Sequence, residues 1–258
     1  MNTLEKLFSL EGKIAVVTGG AQGIGKVVAL KMAEVGADLV LMDMQEEKVK
    51  AVAAEMAAQT GKKVIGIGVD VTDPHAVKAA IEEAGEAMGT LDLLFNNAGI
   101  VLHKSVQEIT PEEWLKVIDV NLNGVFYVAN EFARYLIAND KKGAIVNTAS
   151  MSGHIVNWPQ EQASYNTSKA GAIHLTKSLA IEYCKYGIRV NSISPGYTYT
   201  ELTCNVDQGW QDRWMDLTPM ARYGTPEELA GGVIYLLSDG ASFTNGADLV
   251  IDGCFTCV

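Results

Sequence analysis

Short, almost wholly apolar runs alternate with longer helical stretches along this chain, and this alternation restricts the possible folds more than any other feature. The runs lack polar–apolar alternation, which indicates strands buried on both faces of a parallel sheet. The candidate strands are Lys13–Thr18, Asp38–Asp43, Lys63–Val69, Leu91–Asn96, Ala144–Thr148, Ile188–Ile193 and Asp248–Ile251. Apolar residues at helical spacing lie between them, over residues 24–35, 46–59, 74–88, 111–138, 163–186 and 226–238. The pattern predicts a doubly wound α/β sheet with helices on both faces.

The length of 258 residues suits one domain, and no linker, repeat or low-complexity tract divides the chain. We therefore predict a single domain over residues 1–258. The one irregular stretch runs from Pro195 to Thr225, and a stretch of that length inside a compact fold is usually functional. We expect residues 195–225 to form a substrate loop or lid. Two "TPEE" segments predict helix starts that are capped by threonine.

The chain is acidic, with a formal net charge of −11. Such a charge repels nucleic acid and anionic membranes, so we expect neither as a partner. No apolar run reaches the roughly 18 residues that a spanning helix needs. The N-terminal segment lacks a secretory signal, so we expect a cytoplasmic protein. Cys254 and Cys257 form a single C-x-x-C pair, which is a weak metal or redox signal, and we expect no metal site.

A glycine-rich turn lies between the first candidate strand and the first helical stretch. In "TGGAQGIG", Gly19, Gly23 and Gly25 allow a tight turn and let backbone N–H groups approach a pyrophosphate at the helix N-terminus. The spacing is G-x-x-x-G-x-G rather than the G-x-G-x-x-G of many dehydrogenases. An ordinary glycine turn is the alternative interpretation.

Asp43 ends the second candidate strand, 20 residues after Gly23. A carboxylate there can accept hydrogen bonds from an adenine-ribose hydroxyl and would repel a 2′-phosphate. The glycine turn offers no Arg or Lys to hold that phosphate. The sequence therefore favours NAD over NADP, with a solvated strand-end aspartate as the alternative.

Tyr165 and Lys169 are four residues apart in a predicted helix, so their side chains lie on one helix face. The phenol of tyrosine has a pKa near 10, and a nearby ammonium favours the phenolate. The pair is either a solvated surface pair or a proton-transfer device. We expect Lys169, aided by an oxidised nicotinamide, to lower the pKa of Tyr165.

Four further motifs follow the glycine turn in order: "NNAG" (Asn96 to Gly99), "VNLNG" (Val120 to Gly124), a serine before "YNTSK" (Ser150 to Lys169) and "SPGYTYT" (Ser194 to Thr200). With these motifs, over residues 12 to 253, the chain resembles the short-chain dehydrogenase/reductase family. The resemblance implies a Rossmann-like, seven-stranded sheet and a homotetramer. The stretch from "ASMSGHIVNWPQEQ" to "YNTSK" is similar to that of the polyol and ketose enzymes of the family, such as mannitol dehydrogenases and sorbose reductases.

The resemblance also implies roles for individual residues. Tyr165 would be the general acid/base, Lys169 would also bind the nicotinamide ribose, and Asn121 would anchor a water linking Lys169 to solvent. The expected cofactor-binding residues are Gly19, Gln22, Gly23, Ile24, Gly25, Asp43, Asp70, Val71, Asn97, Ala98, Gly99, Tyr165, Lys169, Pro195, Gly196, Thr198 and Thr200.

The serine that holds the reacting oxygen has two candidates. Many relatives place it 13 residues before the tyrosine, which would select Ser152. The segment "IVNTAS" instead places the hydroxyl directly after the strand, at Ser150. We favour Ser150 and keep Ser152 as the alternative.

A substrate with several hydroxyls needs many polar contacts, and the region around the serine supplies them. The candidate substrate residues are Ser152, His154, Asn157, Gln160, Glu161 and Tyr199. The leading hypothesis is an NAD-dependent dehydrogenase of a sugar alcohol or its ketose. A 3-oxoacyl thioester or steroid-type reductase, a non-catalytic dinucleotide-binding protein and a zinc alcohol dehydrogenase are the alternatives, and the last lacks a Cys/His ligand cluster.

Overall fold

A computed structural model describes residues 3–204 and 206–258 of the chain. Its strands are β1 (Ile14–Thr18), β2 (Asp38–Asp43), β3 (Val64–Gly68), β4 (Leu93–Asn96), β5 (Gly143–Thr148), β6 (Ile188–Pro195) and β7 (Asp248–Ile251). They form one seven-stranded sheet in the order β3-β2-β1-β4-β5-β6-β7, and every neighbouring pair is parallel. The order reverses between β1 and β4, so a crevice opens at their carboxyl ends.

Helices cover both faces of the sheet. They are α1 (Thr3–Phe8), α2 (Gly23–Glu34), α3 (Glu46–Thr60), α4 (Pro74–Met88), α5 (Pro111–Ile118), α6 (Val125–Ala138), α7 (Ala163–Tyr183), α8 (Glu201–Cys204), α9 (Gln208–Leu217) and α10 (Pro226–Leu237). One apolar layer joins the sheet to α2, α3 and α10, and the other joins it to α4, α6 and α7. Within the described residues, no helix combines the length and hydropathy needed to cross a bilayer.

The predicted fold class is confirmed. Each predicted strand is present, with bounds that differ from the prediction by at most two residues. The predicted threonine caps are also present. The Thr110 hydroxyl accepts from the Glu113 N–H at 3.2 Å, and the Glu113 and Glu228 carboxylates accept from the N–H groups of Thr110 and Thr225, each at 2.9 Å.

Two segments differ from the prediction. The helical stretch expected over residues 111–138 is interrupted by a π-helical turn, Asp119–Gly124, which separates α5 from α6. The stretch expected to be irregular, residues 195–225, contains helices α8 and α9. Helix α9 is mostly polar, and the side chain that fixes it to the domain is Trp214, which is 2% exposed. One buried side chain on a polar helix leaves only a weak periodic signal in the sequence.

Gly25 is the glycine at which the turn and helix α2 come closest. A Cβ built on Gly25 would lie 2.0 Å from the Gly19 carbonyl oxygen and 2.8 Å from the Asn97 amide nitrogen. Helix α2 can therefore pack on the β1 end only if residue 25 has no side chain. Gly25 maintains this packing, and the crevice takes its shape from it.

We predict that Gly25→Ala lowers the free energy of unfolding by roughly 1–3 kcal/mol, because the backbone must move to admit the methyl group. Urea denaturation of the purified protein measures the change. Gly231→Ala is the matched control: Gly231 lies inside α10, and a Cβ there meets nothing within 4 Å. Gly231→Ala should raise the free energy of unfolding by about 0.5–1 kcal/mol, because glycine in a helix loses more conformational freedom on folding than alanine does. Equal stability of Gly25→Ala and wild type would contradict the close approach.

Candidate active site

A cavity of about 310 Å³ lies at the carboxyl ends of strands β1 to β5. It brings together most of the residues predicted to bind a dinucleotide. Its lining comprises Gly19, Gln22, Gly23, Ile24, Met42, Asp43, Met44, Gln45, Val69, Asp70, Val71, Asn97, Ala98, Gly99, Ile100, Val120, Thr148, Tyr165, Lys169, Thr200 and Glu201. We call it the cofactor cleft. Its position matches the crevice at which doubly wound sheets bind ligands.

The glycine turn presents uncapped backbone donors to this cleft. Gly19 and Gly23 have φ of 64° and 54°, in the left-handed region that favours glycine. Gln22 is the N-cap of α2, but its side chain makes no capping hydrogen bond. The first-turn N–H groups of α2 thus remain available to a ligand, and a Cβ on Gly23 would meet only open space. This arrangement fits a pyrophosphate at the helix N-terminus.

Asp43 is buried at the end of β2 and is held by two backbone groups. One carboxylate oxygen accepts from the Ala21 N–H at 3.2 Å, and the other accepts from the Gln45 N–H at 3.0 Å. A carboxylate fixed in this way remains an acceptor for hydroxyl groups in the cleft. Sequence reasoning missed Lys48, whose ammonium donates to the Gln22 side chain. This exposed cation therefore lies at the same end of the cleft as Asp43.

Lys169 is buried between α7 and the end of β5. Its ammonium donates to the Thr148 carbonyl at 2.7 Å, and only 3% of the residue is exposed. Burial lowers the pKa of Lys169 to about 8, because a dehydrated ammonium loses its favourable solvation. The residue still carries its charge at neutral pH, but loses it in mildly alkaline solution.

Tyr165 lies beside this ammonium, with 5.6 Å between Lys169 Nζ and the centre of the phenol ring. The expected lowering of the Tyr165 pKa by Lys169 and an oxidised nicotinamide together stays a prediction. Burial raises the pKa of Tyr165 above its usual value, and a hydrogen bond from the Ser150 side chain opposes that rise. The phenol therefore keeps its proton at neutral pH.

Asn121 lies in the π-helical turn and is fully buried. Its amide oxygen accepts from the Ile100 N–H at 2.8 Å, and its amide nitrogen donates to the Ile100 carbonyl at 2.8 Å and to the Ser168 hydroxyl at 3.2 Å. These bonds fix the segment after β4 against helix α7. The expected role of Asn121 in holding a water remains a prediction.

A second cavity, of about 90 Å³, meets the cofactor cleft at Tyr165, which lines both. We call it the substrate pocket. Its lining comprises Val101, His103, Ser150, Met151, Ser152, Gln160, Gln162, Tyr165, Pro195, Gly196, Tyr197, Thr203 and Trp214. Both candidate serines lie here, but their contacts differ. Ser150 is close enough to the Tyr165 phenol to lower its pKa, whereas the Ser152 hydroxyl accepts from the Gln162 amide at 3.3 Å.

Several predicted site residues lie outside the linings of both cavities as described. Gly25 packs against the glycine turn, Thr198 is buried in the loop after β6, and Asn157 contacts Tyr197. Glu161 and Tyr199 are exposed. The His154 imidazole lies 2.6 Å from the Asp248 carboxylate, at the β7 end of the sheet.

Pro195 and Gly196, which were predicted to contact the cofactor, line the substrate pocket instead of the cofactor cleft. The pocket residues that sequence reasoning did not place in a site are Val101, His103, Met151, Gln162, Tyr197, Thr203 and Trp214. The only signal for them was their nearness in sequence to the expected motifs.

No cluster of three or more His, Cys, Asp or Glu side chains that could hold a metal ion occurs in the described part of the chain. All four cysteines are unpaired, and Cys254 and Cys257 are exposed near the C-terminus.

The chain is similar to known proteins over nearly its whole length. A family profile described as enoyl-(acyl carrier protein) reductase matches residues 19–256. The sorbose reductase of Candida albicans is 40% identical, over 97% of this chain and 89% of that protein. The NADP-dependent mannitol dehydrogenase of Hypocrea jecorina is 42% identical, over 99% of this chain and 96% of that protein. The crystal structure of a short-chain type dehydrogenase/reductase from Mycobacterium marinum has a TM-score of 0.94 and 41% identity, covering 99% of this chain and 100% of that one.

Proposed function

The chain belongs to the short-chain dehydrogenase/reductase family of nicotinamide-dependent enzymes that act on CH–OH groups, and we propose that its substrates are a sugar alcohol and the corresponding ketose. The observation that carries this proposal is the position of Tyr165 in the shared wall of the cofactor cleft and the substrate pocket. A phenol at that junction can exchange a proton with a substrate oxygen beside the nicotinamide site.

The residues of the chain divide the chemistry between them. The cofactor cleft would hold a nicotinamide dinucleotide, whose chemistry is hydride transfer to and from the substrate carbon. Tyr165 takes the hydroxyl proton in oxidation and returns it to the carbonyl oxygen in reduction. Its raised pKa keeps the phenol protonated and thus ready to act as an acid. For oxidation, the Ser150 hydrogen bond and the positive charge of Lys169 favour the phenolate.

Ser150 is the serine that we propose to hold the reacting oxygen, because it lowers the pKa of Tyr165 and lines the substrate pocket together with that residue. Its hydroxyl also accepts from the Ser152 N–H at 3.1 Å, which fixes its position. Asn121 supports this arrangement by fixing the neighbouring segments, and its proposed water would pass the proton on from Lys169.

The chemistry of the pocket supports an uncharged substrate with several hydroxyls. Serine, glutamine and tyrosine side chains line it, and no Asp, Glu, Lys or Arg is among the described lining residues. Burial lowers the pKa of His103, so its imidazole is neutral at physiological pH. A sugar acid would lack a cationic partner there. A polyol or ketose fits these groups best.

We propose NAD as the preferred dinucleotide because of Asp43. Its buried carboxylate can accept from the ribose hydroxyls and would repel a 2′-phosphate. Lys48, at the same end of the cleft, offers a positive charge that would partly offset this repulsion. Two of the similar mannitol dehydrogenases are named as NADP-dependent, and one similar solved structure is of an NADPH-dependent reductase, so the balance between these two charges decides the preference. The homotetramer and the cytoplasmic location expected from the sequence remain predictions.

We predict that Tyr165→Phe lowers turnover by roughly 100- to 10,000-fold while dinucleotide affinity is retained, because only the proton-transfer group is removed. Turnover of polyols, ketoses and 3-oxo esters with NAD(H) and NADP(H) is followed by the absorbance of the reduced nicotinamide. Dinucleotide affinity is measured separately by fluorescence titration. Tyr186→Phe is the control, since this exposed tyrosine follows the far end of α7. Full turnover by Tyr165→Phe would refute its role as acid/base. A wild type active only on 3-oxo esters would refute the polyol assignment.

We predict that Asp43→Ala lowers kcat/KM with NAD and brings the ratio of kcat/KM with NAD to kcat/KM with NADP closer to one. The substitution removes the acceptor for the ribose hydroxyls and the repulsion of the 2′-phosphate together. Asp38→Ala is the matched control, because this acid lies at the opposite end of β2 and accepts from the Lys63 N–H. The ratio should not change in that variant. An unchanged ratio in Asp43→Ala would mean that another residue distinguishes the two dinucleotides.

A further inference from the structure

The Tyr197 phenol lies in the substrate pocket and is held rigidly on the loop after β6. Its ring stacks on the Trp214 indole, with 4.2 Å between ring centres and 9° between planes, and the Phe255 ring meets it edge-on at 5.4 Å. Two side-chain amides contact its hydroxyl: Gln160 Nε2 at 2.7 Å and Asn157 Nδ2 at 3.1 Å. Tyr197 shares the pocket with Ser150 and Tyr165.

The orientation of the Gln160 amide is fixed by Trp214. The indole N–H can only donate, and it lies 2.8 Å from the Gln160 amide oxygen. A flipped amide would set two donors against each other, so the Gln160 nitrogen must face the Tyr197 oxygen. The contact at 2.7 Å is therefore a bond in which Gln160 donates and Tyr197 accepts.

The Asn157 amide acts in the same direction. Its oxygen accepts from the Gln162 amide nitrogen at 3.0 Å, which leaves its own nitrogen to donate to Tyr197. A phenol oxygen that receives two N–H donors has used its acceptor capacity, and only its O–H remains to form a bond. Among the described residues, no contact supplies an acceptor for that proton. The O–H is thus an uncommitted donor on a residue that lines the substrate pocket.

We propose that Tyr197 is a specificity-determining residue that donates its O–H to a second oxygen of the substrate, next to the carbon that is oxidised or reduced. This inference rests on the proposed function, and it identifies the substrate group that the pocket recognises: the hydroxyl on the carbon next to the reacting one. Trp214 and Gln160 are positioning residues that act through Tyr197. Burial raises the pKa of Tyr197, which keeps this donor protonated.

The test compares two ketones that differ in hydroxylation, L-sorbose and 2-butanone, with NADH or, if the enzyme prefers it, NADPH. Tyr197→Phe removes the O–H and keeps the stacked ring. We expect kcat/KM for L-sorbose to fall about 10- to 100-fold, since the substrate oxygen and two amide donors lose their partner. For 2-butanone, which has no second oxygen, kcat/KM should not change. Tyr186→Phe, outside both cavities, should leave both values at the wild-type level.

Gln160→Glu tests the positioning role with a side chain of the same shape. One carboxylate oxygen can still accept from Trp214, but the other can only accept from Tyr197 and would draw its O–H away from the pocket. We expect the same selective loss for L-sorbose. In the double variant Tyr197→Phe/Gln160→Glu the loss should be no larger than in Tyr197→Phe, because both substitutions remove one interaction.

The outcomes separate the inference from the proposed function. Wild-type rates on L-sorbose, D-mannitol and galactitol test the proposed function. The ratio of kcat/KM in each variant to kcat/KM in wild type tests the role of Tyr197. An active wild type with equal losses for L-sorbose and 2-butanone in Tyr197→Phe, or with no loss, would overturn the inference and leave the function standing. A wild type that reduces 2-butanone but none of the hydroxylated substrates would overturn both.

Discussion

The Lys169 ammonium is fixed by its 2.7 Å bond to the Thr148 carbonyl, and this bond joins the end of β5 to the helix that carries Tyr165. A buried charge is costly unless a polar group meets it, so the strand end and the first turns of α7 must stay together. Neighbouring, partly buried hydrogen bonds extend the constraint. The Thr148 hydroxyl donates to the Asn97 side chain at 3.3 Å, and the Asn97 N–H donates to the Thr18 hydroxyl at 2.9 Å. Three strand ends, β1, β4 and β5, are thus tied to one catalytic helix.

The fold was predictable because its strands are buried on both faces. Such strands need continuous apolar runs, because loss of that pattern would remove the core. The predicted strand bounds therefore lie within two residues of the observed ones. The cofactor cleft was predictable for a related reason. Gly23 needs a backbone conformation that favours glycine, Gly25 allows no side chain, and Asp43 ends a strand that is recognisable by itself.

The remaining features depend on contacts between distant segments. The π-helical turn places Asn121 against Ile100, and nothing in the local sequence marks one extra residue in a helical turn. The pKa of Tyr165 is raised because its surroundings bury it, whereas the sequence revealed only a lysine one turn away. His103 and Tyr197 line the substrate pocket from loops that pack on α9, where His103 meets Trp210 edge-on and Tyr197 stacks on Trp214. The sequence did not reveal these contacts.

The central claim is that Tyr165 exchanges the substrate proton and that Ser150 adjusts its acidity. The pH dependence of kcat/KM for polyol oxidation tests it directly in wild type, Ser150→Ala and Ser152→Ala. Oxidation needs the phenolate, so the rate rises with pH through the pKa of Tyr165 in the working complex. Ser150 lowers the pKa of Tyr165, so Ser150→Ala should raise that pKa and move the rise in rate to higher pH. Ser152→Ala should keep the wild-type profile, because the Ser152 hydroxyl bonds Gln162. An unmoved profile in Ser150→Ala, or a shift only in Ser152→Ala, would contradict the account.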